Sequence, residues 1–167
     1  MRSLGLIAFF PLSAVAQCLV VGISDGDTLA ARCGAPGAYK QVKVRLAAID
    51  APEKAQPYGQ RSRQSLADLC FQQPARLTER DVDRYGRLVA DVECRGKDAG
   101  QHQVRAGMAW VYTRYAAQHQ HLVPLEALAK AGRIGLWAEV GRKVPPVPPW
   151  EWRRAKREGR EPVDAAL

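Results

Sequence analysis

The 167-residue chain carries 25 Lys and Arg against 17 Asp and Glu, a formal net charge of +8, and 47% of its residues are apolar. That is one ordinary domain with enough apolar side chains for a core, which excludes a disordered chain, a multidomain machine and a fibrous repeat. After the N-terminus no apolar run is long enough to cross a bilayer, and the basic excess points to a polyanionic partner, nucleic acid or an anionic membrane.

Residues 1–16 read Met1-Arg2-Ser3 followed by LGLIAFFPLSAVA. One basic residue, a short apolar stretch and the small-x-small ending Ala14-Val15-Ala16 predict a cleavable signal peptide, cut between Ala16 and Gln17. A buried N-terminal helix is the alternative, and Pro11 with the abrupt change after Ala16 suits cleavage better. A periplasmic or secreted protein follows from that reading.

Four cysteines lie beyond the cut. An even number in an exported chain predicts two disulfides, with free or metal-binding thiols as the alternative; no CxxC or CxH spacing supports zinc. Residues 18–23 and 28–33 read as strands joined at 24–27, and a hairpin centred there sets Cys18 opposite Cys33, within bridging reach. Cys70 shares a helical stripe with Leu66 and Leu69, and Cys94 a strand face with Leu88, Ala90 and Val92. Both point to a core, so the pairs are Cys18–Cys33 and Cys70–Cys94.

Residues 41–50 alternate Val42, Val44 and Leu46 against Lys43, Arg45 and Ala47, a half-buried strand. Pro52 to Gly59 is a loop, and residues 60–70 form a helix with Leu66 and Leu69 inward. Alternation returns over 75–82 and 87–94, joined by the turn Asp83-Arg84-Tyr85-Gly86. Asp98 caps a helix running to about Ala106, with Gly107 as its stop. After the short apolar segment 108–112, Pro124 begins a third helix carrying Leu125, Leu128 and Ala129, ending near Gly132 or Gly135. From Gly141 the VPPVPP and WEWRRAKREGR stretches predict a Pro-rich, basic tail over 141–167. Its acids Glu151, Glu158, Glu161 and Asp164 favour a solvated extension over a nucleic-acid arm. Five short strands with a helix between the third and fourth predict an α+β, mainly β fold: a small closed barrel of the OB type with about three helices over 17–140. An α+β meander with one helical face is the runner-up.

The residues able to carry chemistry are Asp25-Gly26-Asp27-Thr28, Arg45, Asp50-Ala51-Pro52-Glu53, Asp83-Arg84-Tyr85-Gly86-Arg87, and an aromatic segment with Trp110, Tyr112 and Tyr115. Each alone has an ordinary explanation: a turn, a strand end, solvated arginines, core packing. In this order and spacing, from about Val20 to Trp137 and including Gly107 and the GLW at 135–137, they resemble the thermonuclease (staphylococcal nuclease-like) family. The resemblance implies an OB-fold barrel and calcium-dependent hydrolysis of phosphodiesters in DNA and RNA. It also implies a role for each residue. Asp27, Asp50 and the Ala51 backbone carbonyl would hold Ca²⁺, with Asp25 holding a metal-bound water or the turn. Glu53 would serve as general base, Arg45 and Arg87 would clamp the phosphate, and Arg84, Tyr85 and Tyr115 would contact the substrate.

The chemistry agrees. Carboxylate oxygens suit a hard cation, a carboxylate can deprotonate a nearby water, and guanidinium forks match phosphate oxygens. An aromatic ring stacks on any base, so sequence-tolerant cleavage is expected. In a straight strand Arg45 and Asp50 face opposite ways, so the strand must bend around Ala47–Ile49. Three departures from the family stand out: Ala51 where Thr is frequent, a shorter loop from Lys54 to Gly59, and Gly100 where Asn is common. His119 and His121 read as solvated residues of a polar loop, not as metal ligands. A monomer is expected. The rival functional reading is a non-catalytic OB barrel that holds single-stranded nucleic acid; a structural protein using its tail on anionic lipid is a third.

Overall fold

Alternating apolar side chains along the first half of the chain wind it into a closed barrel. The structure, a computed structural model, describes residues 17–112, 117–139 and 146–161; the predicted signal peptide and Tyr115 lie outside them. Strand β1 (Gln17–Ile23) pairs antiparallel with β2 (Thr28–Cys33), and β2 with β3 (Lys40–Leu46). Strand β5 (Pro74–Val82) joins β1 to β6 (Leu88–Cys94), and a parallel pairing of β6 with β3 closes the ring. Two-residue strands β4 (Ile49–Asp50) and β8 (Trp110–Val111) pair with one another, and β7 (Lys97–Asp98) extends β6. This is the five-stranded OB-type barrel expected from the alternation, with three two-residue strands added to it. Val20, Leu29, Ala31, Val44, Leu46, Ala90 and Val92, none more than 1% exposed, fill its interior.

Helix α1 (Gly59–Cys70) turns Leu66 and Leu69 onto that interior as predicted, and removing a side chain as buried as Leu66 costs about 2–5 kcal/mol. Asp98 caps α2 (Ala99–Arg105) by accepting from the Gln101 N–H at 2.7 Å. Gly107 follows with φ 62°, packed so closely on the Ile134 carbonyl that no side chain fits. Helix α3 (Leu122–Ala131) starts two residues before Pro124. Its inward face is Leu122, Leu125 and Ala129; Leu128, expected inside, is 67% exposed. At 3.6 residues per turn 122, 125 and 129 form the stripe and 128 falls beside it. A 3₁₀ turn at Gly135–Glu139 buries Leu136 and Trp137 in a second small cluster with Trp110 and Ala129.

Both predicted disulfides are present. Cys18 pairs with Cys33 across the β1–β2 register, and Cys70 at the end of α1 bonds Cys94 on β6. The stretch read from composition as a tail contains a fourth helix, α4 (Pro149–Arg157), with Pro149 at its first position and Trp152 4% exposed. Gln56 donates to the Val147 carbonyl at 2.6 Å, and the Trp150 ring lies 5.6 Å from that of Tyr112. These contacts seat α4 on the barrel face that carries the acidic residues.

Candidate active site

The β1–β2 turn is held in place from below. Gln103 on α2 is fully buried and donates to the Gly26 carbonyl at 2.6 Å and to the Ser62 carbonyl at 3.0 Å. A Cβ on Gly26 would collide with the Ser62 side chain, so the close packing of this turn on α1 requires glycine. Asp25 accepts from the Asp27 N–H at 3.1 Å, and Asp27 accepts from the Thr28 hydroxyl and the Ala51 N–H, both at 2.8 Å. The Asp27 carboxylate is thereby fixed on the start of the 51–58 loop.

Arg45 sits opposite Thr28 on β3. Its Nη1 lies 2.8 Å from Asp27 Oδ1, and its Nη2 lies 3.2 Å from Asp50 Oδ1 and 3.1 Å from the Ile49 carbonyl. The odd separation of Arg45 and Asp50 is resolved by a break at Ala47-Ala48, where Ala48 takes φ 58°. That break, expected from the parity of the two positions, swings Asp50 back to the face of Arg45. Ala47 donates to Ala90 on β6 and Ala48 accepts from Tyr112, so both sides of the turn are anchored.

Charges this close and this buried perturb one another. Burial, with the charge of Asp27 beside it, pushes the Asp25 carboxyl up to about 6. Burial also raises Asp50, although Arg153 and Arg45 oppose it. For Arg45, desolvation is outweighed by Asp27 and Asp50, which hold the guanidinium firmly charged.

Arg153 on α4 was not among the residues expected here. Its Nη2 bonds Asp50 Oδ2 at 2.6 Å, and its Nη1 bonds Glu53 Oε1 at 2.7 Å and Asp50 Oδ1 at 3.2 Å. It spans the two carboxylates from the solvent side. Gln56 was missed too: it accepts from the Glu53 N–H at 3.1 Å while reaching Val147, so one side chain ties the Glu53 loop to α4. The only local signal for either was the pair of tryptophans, Trp150 and Trp152, in an otherwise polar and basic stretch.

The remaining expected residues stand on the other wall of a groove of about 900 Å³, lined by Asp25, Asp27, Arg45, Asp50 and Glu53 at its floor. Asp83 accepts from the backbone N–H groups of Tyr85 and Arg87, and from Arg87 Nε at 2.7 Å. The carboxyl of Asp83 is lowered: burial opposes this but is outweighed by the backbone and side-chain bonds from Arg87 and the Tyr85 N–H. Arg87 points along the groove but is bonded to Asp83, not to the floor. Tyr85 is 69% exposed, with the Arg84 guanidinium 4.8 Å and that of Arg87 5.5 Å from its ring centre. Of the two readings open for the aromatic segment, Trp110 takes core packing, edge-on to Trp137, while Tyr112 packs against Trp150 and also lines the groove.

His119 corrects the reading of a solvated loop. It is 7% exposed, and its Nε2 lies 2.7 Å from Asp91 Oδ1, because 117–121 fold back on β6. Among the described residues no three His, Cys, Asp or Glu side chains converge as ligands of one metal ion.

A family model described as "Staphylococcal nuclease homologue" matches residues 43–139. An "Uncharacterized endonuclease" of Haemophilus influenzae is 42% identical over 156 residues, covering 91% of the chain and 83% of that protein. The "Micrococcal nuclease" of Shigella flexneri is 38% identical over 162 residues, 91% of the chain and 88% of that protein. A "Probable staphylococcal-like nuclease CAN1" of rice, Oryza sativa subsp. japonica, is 41% identical over 120 residues, 72% of the chain but 35% of that longer protein.

Proposed function

The chain belongs to the staphylococcal nuclease homologue family, and from that premise we propose that it is an exported, monomeric, Ca²⁺-dependent nuclease hydrolysing phosphodiester bonds in DNA and RNA with little sequence preference. One observation carries the reading: Asp27 and Asp50 meet on a single guanidinium, Arg45, at the floor of a groove whose rim carries Arg84, Tyr85 and Arg87. Burying paired charges costs desolvation energy, and a cleft that keeps such a cluster is a candidate site of function.

The donor set fits a hard cation. Asp27 and Asp50 meet on Arg45 with Asp25 beside Asp27; burial first and the charge of Asp27 second push Asp25 up, and a divalent ion held by Asp27 and Asp50 would favour its charged form. Asp27, Asp50 and the Ala51 carbonyl would hold it, with water completing the oxygen shell; two carboxylates suit Ca²⁺ better than zinc. When bound, the ion supplies positive charge to the phosphate and to the water beside it.

The side chains do the rest. Glu53, 41% exposed and within reach of the groove, takes the proton of the attacking water. That water's oxygen bonds to phosphorus as the ester P–O bond breaks. Arg45 and Arg87 hold phosphate oxygens and stabilise the charge that builds on them. Tyr85 stacks on a base face, with Arg84 at its edge, and neither reads the base edges. Export rests on the two disulfides together with the leader-like residues 1–16, and no helix among the described residues is long and apolar enough to cross a membrane.

The test is cleavage of denatured DNA and of RNA with Ca²⁺, with Mg²⁺ and with chelator, alongside Glu53→Ser. Cutting that requires Ca²⁺ and collapses in the variant is expected. Tight binding without cutting under every metal would replace the enzyme with a single-strand-binding barrel. The Arg153 guanidinium lying across Asp50 and Glu53 is the observation that favours this second reading.

A further inference from the structure

We infer that α4 is a phosphate-binding wall of the groove. In this reading Arg153 and Arg157 take backbone phosphates of the nucleic acid beside the one being cut, and in the free protein Arg153 rests on the carboxylates that the reaction uses. This rests on the nuclease reading above.

The helix is built to stay where it is. Pro149 and Trp152 are buried, Trp150 packs on Tyr112, and Gln56 holds Val147. Docking of this kind fixes the direction in which its polar face looks. Arg153 and Arg157, one helical turn apart, both line the groove opposite Arg84, Tyr85 and Arg87. The last turn also carries Arg154 and Lys156, the latter lying over the Trp152 ring, while the one acid of the first turn is Glu151.

Two features separate Arg153 from an ordinary structural ion pair. First, its partners are the groups with work to do. It takes both oxygens of Asp50, whose side chain is 1% exposed, and one oxygen of Glu53, while its own side chain is 38% exposed. It therefore approaches from the side on which substrate must arrive. Second, both Asp50 oxygens are taken while nothing else is bound: Arg153 bonds Oδ1 and Oδ2, and Arg45 also reaches Oδ1. A divalent ion arriving at these carboxylates competes with Arg153 for the Asp50 oxygens. The displaced guanidinium, still tethered to a docked helix, then needs an anion within reach, and the substrate phosphate is one. A guanidinium fork fits phosphate as well as it fits carboxylate. Arg157, a turn further out, extends the same track to a second phosphate.

Cation and nucleic acid should in consequence bind each other's complex better than they bind the bare protein, since each satisfies what the other leaves unpaired. The experiment uses the full chain from Gln17, as wild type, Arg153→Gln and Arg157→Gln. Ca²⁺ affinity is measured by calorimetry without nucleic acid. Binding of a nuclease-resistant phosphorothioate single strand is measured in Ca²⁺ over a range of salt, and thermal melting checks that each variant folds.

Arg153→Gln is expected to bind Ca²⁺ about tenfold more tightly and the oligonucleotide about tenfold more weakly. Arg157→Gln is expected to leave Ca²⁺ affinity unchanged. In both variants the slope of log affinity against log salt should fall by about 0.7, one single-strand phosphate contact. If Arg153→Gln tightens Ca²⁺ but both variants keep wild-type oligonucleotide affinity and slope, Arg153 is only a cap and the wall is disproved. Arg157 is exposed and, among the described residues, has no hydrogen bond or ion pair that docks the helix, so its result stands even if Arg153→Gln unfolds. Failure of the wild type to cut unmodified DNA would sink the nuclease reading instead; a wild type that cuts, with variants that bind as it does, sinks this inference alone.

Discussion

The floor and the rim of the groove are built on opposite principles. At the floor, Asp27 and Asp50 are nearly closed off from water while Arg45 keeps 18% of its side chain exposed, and four segments hold the three: the β1–β2 turn, β3, β4 and, through Gln103, α2. At the rim, Asp83, Arg84, Tyr85 and Arg87 organise one another within a single hairpin turn, in contact with solvent. Electrostatic interactions at the floor are strong because water is excluded, and a misplaced group there has no solvent to fall back on. At the rim they are screened, and the side chains are free to follow a substrate. On the proposed nuclease reading, geometry would be fixed where bonds are broken and left adjustable where a variable polymer is gripped.

Substitutions should separate the two. Asp50→Asn leaves a side chain of the same shape but removes the charge shared by Arg45 and Arg153; cleavage should fall by roughly a thousandfold, with far-ultraviolet circular dichroism unchanged. Retained turnover would show that the floor is only structural. Arg87→Ala at the rim should lower kcat by about a hundredfold but binding by only a few-fold, because the arginine acts mostly on charge that develops during reaction; equal losses in both would make it a simple anchor. Gln103→Ala touches no substrate. It frees the Gly26 carbonyl in a buried site, so about 2 kcal/mol of stability and roughly tenfold in kcat should go together, read by urea unfolding and steady-state rates.

The smallest effect concerns pH. Folding raises the Asp25 carboxyl from 3.8 to about 6, so between those values the folded state holds a proton that the unfolded chain has lost. Stability contributed by this group is present below pH ~4 and is lost as pH climbs towards 6. Measured in chelator, wild type should lose about 2 kcal/mol relative to Asp25→Asn across that window. A flat difference between the two would mean that burial and the charge of Asp27 do not raise Asp25. Asp83 and Asp91, both lowered by their partners, run the other way, which is why the comparison is with the variant.

What could be read in advance was local. Cys18 facing Cys33 followed from counting residues across a hairpin, and the break at Ala48 followed from the odd separation of two residues that had to meet. The barrel followed from alternation, which reports burial directly. Arg153 could not be found in that way. It bonds a carboxylate 103 positions earlier, and nothing in a basic, Pro-preceded helix says which surface its tryptophans cover. His119 eluded the reading for the same reason: a polar loop looks solvated until the strand beneath it, with Asp91, is known. Leu128 is the converse, an apolar residue one position off its stripe.

The two disulfides have a consequence for where the protein is fully braced. They close loops of 15 and 24 residues, and ties of that span stabilise a small domain by about 3 kcal/mol each. Together they are comparable with the whole margin by which such a domain stays folded. One bridge spans the base of the hairpin whose tip bears Asp25 and Asp27, and the other fastens α1, on which that tip packs, to the barrel. In a reducing compartment neither bridge forms. A chain held in such a compartment therefore lacks the covalent bracing of its acidic tip, and the Asp25–Asp27 turn is left to its hydrogen bonds and its packing on α1 alone.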